Sequence, residues 1–281
     1  MKRPWLKQYE GHVLPSISYP EIPIHRFLLD TVAEHPDDIA ITMNEIQISY
    51  KELNARVNRF AFGLQKAGVA KGDRVALLLV NSPVYVVSFF AVLKIGAVVV
   101  NLSVGIQGEE LVRCLNESDA KVVVTMDLFI PSLYKVIKNT RVKTVILYSV
   151  MGLEKKIRLE EGAPQPQLYQ EVLATAQNTE EPAVHVSHGD IAVLQYTSGS
   201  TGAPKAATLT HYNLVASVLQ SDKWIGIESA GNAAVMCVIP FFHVFGMSAC
   251  LLLSVLKGYR MVLIPRVDLM DILSLMKTIE T

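Results

Sequence analysis

One polar stretch of the chain has the composition of a loop that holds phosphate oxygens. Between Tyr196 and Lys205, four hydroxyl residues and two glycines fill six consecutive positions, and a lysine follows. The six are Thr197, Ser198, Gly199, Ser200, Thr201 and Gly202. Glycines let backbone N–H groups approach an anion closely, hydroxyls donate further hydrogen bonds, and lysine supplies a point charge. These residue types predict a phosphate-binding loop directly after an apolar strand.

The spacing within this stretch excludes three commoner templates. The Gly-x-x-x-x-Gly-Lys-Ser/Thr pattern needs a second glycine where Pro204 stands, five positions after Gly199. The hydrolase pattern Gly-x-Ser-x-Gly needs a glycine where Ser198 stands, two positions before Ser200. The dinucleotide pattern Gly-x-Gly-x-x-Gly does not occur in this stretch either. Composition alone leaves a Ser/Gly-rich turn between two strands as an equal alternative.

Histidines offer two further candidate positions. His243 lies in an apolar, aromatic segment between Phe241 and Phe245, where a histidine either packs in the core or faces a ligand. His185 and His188 have the spacing of a metal pair. No third ligand lies near that pair in the sequence, so we expect a solvated loop there.

The elements that must position these residues alternate along the chain. The predicted strands are 39–42, 46–48, 75–80, 97–100, 122–125, 145–148, 191–196, 206–209, 235–239 and 261–264. The predicted helices are 24–34, 49–67, 82–95, 109–116, 128–138, 168–176, one from 213 onwards, and 248–256. The alternation predicts an α/β fold with mostly parallel sheets covered by helices. If the strands before Thr197 and His243 share one sheet, both residues face one cavity beyond its carboxyl edge.

Shifts in composition divide the chain into four segments. We expect an extended, proline-rich arm at 1–23 and a first α/β subdomain at 24–149. A polar connecting segment follows at 150–189. A second α/β region, which contains the polar loop, follows at 190–281.

Charge and composition exclude several classes of protein. The 281 residues include 26 basic and 26 acidic ones, so a net charge of 0 gives no bulk attraction to nucleic acid. With 51% hydrophobic and 19% charged residues, the chain is not disordered and can build a sizeable core. The three cysteines are too few and too scattered for a disulfide framework or a zinc knuckle. We expect reduced thiols in a cytoplasmic protein.

Two long uncharged stretches raise the question of a membrane. Mean hydropathy is +0.32, and residues 75–93 and 229–256 carry no Asp, Glu, Lys or Arg. Pro83 interrupts the first stretch and Pro240 the second, so each is expected to form a buried strand, a loop and a buried helix. We expect no transmembrane helix, and leave peripheral membrane contact and a homodimer open.

Five motifs together resemble those of the adenylate-forming superfamily, in particular its acyl-CoA synthetases. The polar stretch 196–205 is similar to its phosphate-binding signature, 211–214 to its His-x-Asn-Leu segment, and 240–246 to its Pro-x-Phe-His-x-x-Gly segment. Residues 49–54 resemble its early Ser/Thr-Tyr-x-Glu-Leu-Asn motif. The arm at 19–23 is similar to that of long-chain fatty acid–CoA ligases.

The resemblance implies the major part of a large N-terminal domain and a two-step reaction. A fatty acid or other carboxylic acid reacts with ATP and Mg²⁺ to an acyl-adenylate, and coenzyme A then displaces AMP. The implied catalytic residues are Lys205 and His243. The implied ATP contacts are Thr197, Ser198, Gly199, Ser200, Thr201, Gly202 and Lys205, with Thr201 also facing the metal. The implied acyl contacts are Phe241, Phe242, His243 and Gly246.

Two departures from the family pattern stand beside the resemblance. Ala206 replaces the usual glycine after the lysine, and the later motifs for ribose, Mg²⁺ and the C-terminal lysine do not occur before Thr281. We therefore expect a truncated chain that is inactive on its own. Two alternatives stay open, a non-catalytic binding fragment and an adenylation domain that passes an aryl or amino acid to a carrier protein.

Overall fold

A computed structural model describes residues 3–150, 161–175, 179–197, 204–226, 233–264 and 272–273. The strands are β1 Ile39–Met43, β2 Ile46–Ser49, β3 Arg74–Leu78, β4 Val98–Asn101, β5 Val122–Met126, β6 Thr144–Tyr148, β7 Pro166–Leu168, β8 Ile191–Thr197, β9 Lys205–Thr210, β10 Ala234–Cys237 and β11 Arg260–Leu263. The α-helices are α1 Arg26–Glu34, α2 Tyr50–Lys66, α3 Pro83–Lys94, α4 Gly108–Glu117, α5 Ile130–Tyr134, α6 Tyr169–Ala174, α7 His211–Ile225 and α8 Leu253–Lys257. Short 3₁₀ turns occur at Pro4–Gln8 and Ile137–Asn139, and a π-helix at Gly246–Leu252 runs directly into α8.

These strands form two sheets, and the α/β fold with mostly parallel sheets is confirmed. The larger sheet has seven strands in the order β7-β6-β5-β3-β4-β8-β9, all parallel except the antiparallel edge strand β9. The smaller sheet has the order β10-β11-β1-β2, in which only β2 is antiparallel to its neighbour.

Both sheets draw strands from distant parts of the sequence. β8 and β9 join the sheet that β3 to β7 form, whereas β10 and β11 join the sheet that contains β1 and β2. The premise that the strands before Thr197 and His243 share one sheet is therefore wrong, because hydrophobic runs alone do not reveal which strands pair. The four segment boundaries stay predictions.

Helix α3 lies in the core and explains the first uncharged stretch. The Ser82 side chain accepts a hydrogen bond from the Tyr85 N–H at 3.2 Å, and Pro83 occupies the first turn, where its missing N–H costs nothing. Every residue of α3 after Pro83 is buried. In the described part of the chain, no helix is both long and apolar enough to cross a membrane.

Apolar residues on the central strand β3 alternate between two hydrophobic clusters. Val75 and Leu77 belong to the cluster that contains α2 and α3, while Ala76 and Leu78 belong to the cluster under α4 and α5. This period of two buries both faces of the large sheet. The carboxyl edge of its strands is the edge at which the candidate site lies.

Three elements differ from the sequence expectation. The helix expected at 128–138 ends at Tyr134, and a 3₁₀ turn follows. The helix expected at 248–256 begins as a π-helix at Gly246. The strand β7 was not expected, because Pro164 and Pro166 indicate a loop and only an edge strand tolerates such prolines.

Candidate functional site

A cavity of about 530 Å³ lies where the parallel neighbours β4 and β8 end. Its lining residues are Ser103, Gly105, Ile106, Glu110, Gln195, Tyr196, Thr197, Pro204, Phe242, His243 and Val244. Thr197 and Pro204 are the described ends of the predicted phosphate loop. Their cavity also contains His243, so the predicted common cavity is confirmed, although it is built from two sheets.

The middle of the predicted phosphate loop, residues 198–203, lies outside the described part of the chain. This range includes Ser198, Gly199, Ser200, Thr201 and Gly202, so their contacts to ATP and the metal contact of Thr201 stay predictions.

His243 is held in a tight turn that leaves one ring nitrogen as a donor. Its N–H donates to the Pro240 carbonyl at 3.0 Å, and its own carbonyl accepts from the Met247 N–H at 2.9 Å. The ring Nδ1 accepts from the Phe245 N–H at 3.2 Å. In the neutral imidazole the proton must then be on Nε2. His243 is exposed, so the alternative of a core histidine is wrong.

Steric crowding alone requires a glycine at Gly246, whether or not a ligand binds nearby. A methyl group at this position would overlap the Pro240 carbonyl oxygen and lie 2.8 Å from the Ile239 oxygen. The absence of a side chain thus lets the π-helix begin directly against the turn that carries His243. Its role as an acyl contact stays a prediction.

The neighbouring aromatic side chains separate into different environments. Phe241 is fully buried and packs on Tyr85 with ring centroids 5.4 Å apart. Phe242 lines the cavity of His243. Phe245 is 56% exposed and lines a second, apolar groove of about 720 Å³ between the N-terminal arm and α7.

The turn around His243 is anchored by an asparagine of the other sheet. Asn81, just after β3, donates from Nδ2 to the carbonyls of Cys237 at 2.8 Å and Ile239 at 2.9 Å. Its Oδ1 accepts from the Phe241 N–H at 2.7 Å. One side chain therefore satisfies three backbone groups at and after the end of β10.

A second chain of hydrogen bonds ends on the residue before His243. The Tyr85 hydroxyl lies 2.7 Å from Asn101 Oδ1 and 3.0 Å from the Phe241 carbonyl. Asn101 Nδ2 donates to Gln195 Oε1 at 3.0 Å, and Gln195 Nε2 donates to the Phe242 carbonyl at 2.7 Å. Burial raises the pKa of Tyr85 above its usual range, so the hydroxyl keeps its proton.

These polar residues were missed from the sequence although a signal was available. Asn81, Asn101 and Gln195 each interrupt or end an apolar run, and each is at most 4% exposed. A buried carboxamide requires partners for its donors and its acceptor. Those partners lie up to 160 positions away, which the sequence does not reveal.

Lys205 begins β9 and is exposed beside a separate cavity. Its carbonyl accepts a hydrogen bond from Thr197 Oγ1 at 3.4 Å. Lys205 lines a 440 Å³ cavity together with Arg113 and Glu117, whereas His243 lines the cavity described above. Tyr196 and Pro204 line both cavities, so both cavities border the ends of the predicted phosphate loop.

The His-x-Asn-Leu segment has a structural role at the start of α7. Thr210 Oγ1 accepts from the Asn213 N–H at 3.1 Å, and Asn213 Oδ1 accepts from the Thr210 N–H at 3.0 Å, which completes a reciprocal cap. His211 is fully buried, and its Nδ1 accepts from the Ile24 N–H at 3.2 Å. Burial, and then the charge of Lys71, lowers the pKa of His211 to about 4.

The described residues contain no group of three or more His, Cys, Asp and Glu side chains that could hold a metal ion. His188 packs its ring against Tyr212, with the centroids 5.8 Å apart. His185 is exposed.

Comparisons with known proteins agree with this architecture. The family described as AMP-binding enzyme matches residues 28–281. A long-chain-fatty-acid–CoA ligase of Bacillus subtilis is 29% identical over 98% of this chain and 52% of its own length. The 4-coumarate–CoA ligase CCL1 of Humulus lupulus is 29% identical over 94% of this chain and 47% of its own length.

Solved structures show the same fold. A crystal structure of a long-chain-fatty-acid-CoA ligase from Archaeoglobus fulgidus superimposes with a TM-score of 0.81 at 24% identity, over 97% of this chain and 52% of that one. The N-terminal domain of FACL13 from Mycobacterium tuberculosis gives a TM-score of 0.73 at 26% identity, over 90% and 60%. This chain spans about half the length of the curated relatives it matches. With the family match over most of its residues, the chain belongs to the AMP-binding enzymes.

Proposed function

We propose that this chain is the half of an acid–CoA ligase that binds the phosphates of the nucleotide and the carboxylic acid. The proposed reaction joins a carboxylic acid to ATP, with Mg²⁺, to form an acyl-adenylate and pyrophosphate, and then transfers the acyl group to coenzyme A. One observation carries the proposal, namely the cavity shared by His243 and by Thr197 and Pro204 at the ends of the loop. A carboxylate and a nucleotide phosphate can meet there.

His243 is the proposed contact to the acid. Because Nδ1 is occupied by the Phe245 N–H, Nε2–H is the donor left for a carboxylate oxygen. A hydrogen bond from this donor would orient the carboxylate oxygen towards the α-phosphorus of ATP without neutralising the nucleophile by proton transfer.

Lys205 and the loop are the proposed contacts to the departing pyrophosphate. Negative charge builds on that group as the bond to the α-phosphorus breaks, and a nearby ammonium group stabilises it. Arg113 lines the same cavity as Lys205 and adds a second cation to it. Mg²⁺ enters with ATP, and Thr201 remains the proposed contact to it.

The proposed acid is a fatty acid. Val244, beside His243, lines the carboxylate cavity, while the next residue, Phe245, lines the apolar groove against the arm. Trp224, which is 60% exposed, forms another wall of that groove. A long apolar tail would bury these surfaces once the carboxylate lay at His243.

We place this reaction in the cytoplasm. Cys114, Cys237 and Cys250 are free and buried in the structure. Cys237 and Cys250 are hydrogen-bonded neighbours that remain free thiols, which suits a reducing compartment.

An ATP–pyrophosphate exchange screen across acids tests the proposed function in the complete gene product. Long-chain fatty acids are expected to drive exchange, and aryl or amino acids are not. His243→Ala should reduce exchange at least tenfold, while His185→Ala, at an exposed histidine away from the cavity, should leave it unchanged. Exchange driven best by an aryl or amino acid would refute the fatty acid assignment, and full exchange by His243→Ala would refute the site.

A further inference from the structure

The segment that carries His243 depends on the large sheet for its position. It follows β10 of the small sheet, but four backbone groups at and after the end of β10 are bonded to side chains that lie on or just after strands of the large sheet. The carbonyls of Cys237 and Ile239 and the Phe241 N–H bond to Asn81, and the Phe242 carbonyl bonds to Gln195.

The orientation of these carboxamides is fixed by their partners. Asn81 faces two carbonyls with its NH₂ group and one N–H with its oxygen, so a flipped amide would place like groups together. Gln195 accepts from Asn101 and donates to Phe242. A flipped Gln195 would likewise set its NH₂ against the NH₂ of Asn101. Donors therefore face acceptors throughout the network in only one orientation of these carboxamides.

Gln195 connects this network to the phosphate side of the site. It lies on β8 two residues before Thr197, where the predicted phosphate loop begins. Its amide nitrogen contacts the carbonyl of the residue directly before His243. This hydrogen bond connects β8 to the turn that carries His243.

We propose that Gln195 and Asn81 are positioning residues that set the location of His243 relative to Thr197 at the end of β8. The inference rests on the proposed function for its kinetic consequence. The geometric consequence does not need any reaction, because it concerns only where the turn lies and how firmly it is held.

Gln195→Met is the informative variant. A methionine keeps the length and about the volume of the side chain, removes the donor to the Phe242 carbonyl together with the acceptor for Asn101, and adds no charge to the cavity. The KM for the fatty acid should rise about tenfold, the effect of losing the buried hydrogen bond to the Phe242 carbonyl, while the KM for ATP stays within about twofold. Gln195→Ala should show the same split.

Thr125→Val is the matched control. Thr125 is buried on β5 of the same sheet, and its hydroxyl donates to the Leu78 carbonyl at 3.1 Å, away from the cavity. This variant removes the same kind of bond and should lower the unfolding midpoint without changing either KM. Equal changes of both KM values in Gln195→Met and in the control would show a purely structural effect and overturn the proposal.

A second measurement separates this proposal from the proposed function. The ring signal of His243, recorded by NMR with labelled histidine and assigned through His243→Ala, should shift or broaden in Gln195→Met and in Asn81→Leu but not in Thr125→Val. An unchanged signal in both variants would overturn the positioning role. If the signal responds but no acid drives exchange in the wild type, the positioning role stands and the proposed function falls.

Discussion

Acidification is expected to weaken the protein through two neighbouring histidines, His25 and His211, whose ring centroids lie 6.0 Å apart. Burial lowers the pKa of His25 to about 3, and the contribution of His211 can be measured separately. His211 is fully buried, and its Nδ1 accepts a hydrogen bond from the backbone of Ile24, a bond that only an unprotonated nitrogen can accept. The pKa of His211 falls from 6.5 to about 4, first because of burial and then because of Lys71, while Asp190 opposes the shift. The neutral ring is therefore the form that the fold contains at neutral pH.

The size and the sign of the effect follow from this pKa. Between pH 6.5 and about 4 the unfolded chain binds a proton that the folded chain does not, so stability falls as the pH falls through this window. Each pKa unit is worth about 1.4 kcal/mol, which gives a loss of about 3 kcal/mol once pH 4 is reached. Below pH 4 the folded state also binds the proton and this loss stops growing.

Urea unfolding at pH 7, 6, 5 and 4.5 measures the effect against a variant without the titrating ring. In His211→Asn the carboxamide oxygen can still accept from Ile24, but the side chain does not titrate. The wild type should lose about 2 to 3 kcal/mol more than this variant over the series. His185→Asn, at an exposed position, should follow the wild type. Parallel curves for wild type and His211→Asn would refute the reasoning.

Three further changes test other parts of the site and its support. Lys205→Ala should lower the single-turnover rate of adenylation at least tenfold with little change in fatty acid affinity, because the charge of Lys205 acts on the departing pyrophosphate. An unchanged rate would contradict this role. Gly246→Ala should lower the unfolding midpoint and reduce exchange together, because the added methyl overlaps the Pro240 carbonyl; a variant as stable and active as wild type would disprove the steric argument. Glu181→Gln should cost about 2 kcal/mol in urea unfolding, because the buried Lys94 ammonium loses its charged partner and keeps the oxygens of Asn54 and Asn58 as acceptors. A cost below about 1 kcal/mol, as for an exposed pair, would show that the carboxylate is dispensable.

Local structure followed from the sequence where residue types act on their neighbours. The Ser49 side chain caps α2 by accepting from the Glu52 N–H, as its motif predicts. The Glu52 carboxylate bonds instead to Arg56 one turn along the helix, at 2.7 Å. The break at Pro83 likewise predicted where β3 ends and α3 begins, because proline suits the first helical turn and disrupts a strand.

Pairing and polar contacts between distant segments did not follow from the sequence. β1 pairs with β11 across more than two hundred positions, and periodicity contains no information on such partners. The strand-end rule nevertheless placed Thr197 and His243 at one cavity, because loops of both sheets meet at the carboxyl edge of the larger one. The role of the carboxamides that join the two sheets could not be predicted from the sequence, because their backbone partners are distant along the chain.

The chemical identity of the first product tests the central claim most directly. The complete gene product, incubated with a long-chain fatty acid and Mg-ATP but without coenzyme A, should form the acyl-adenylate and pyrophosphate, both detectable by mass spectrometry after quenching. The His243→Ala variant should form at least tenfold less. Formation of ADP and an acyl phosphate instead, or release of AMP that does not depend on the acid, would contradict a site in which the carboxylate at His243 attacks the α-phosphorus.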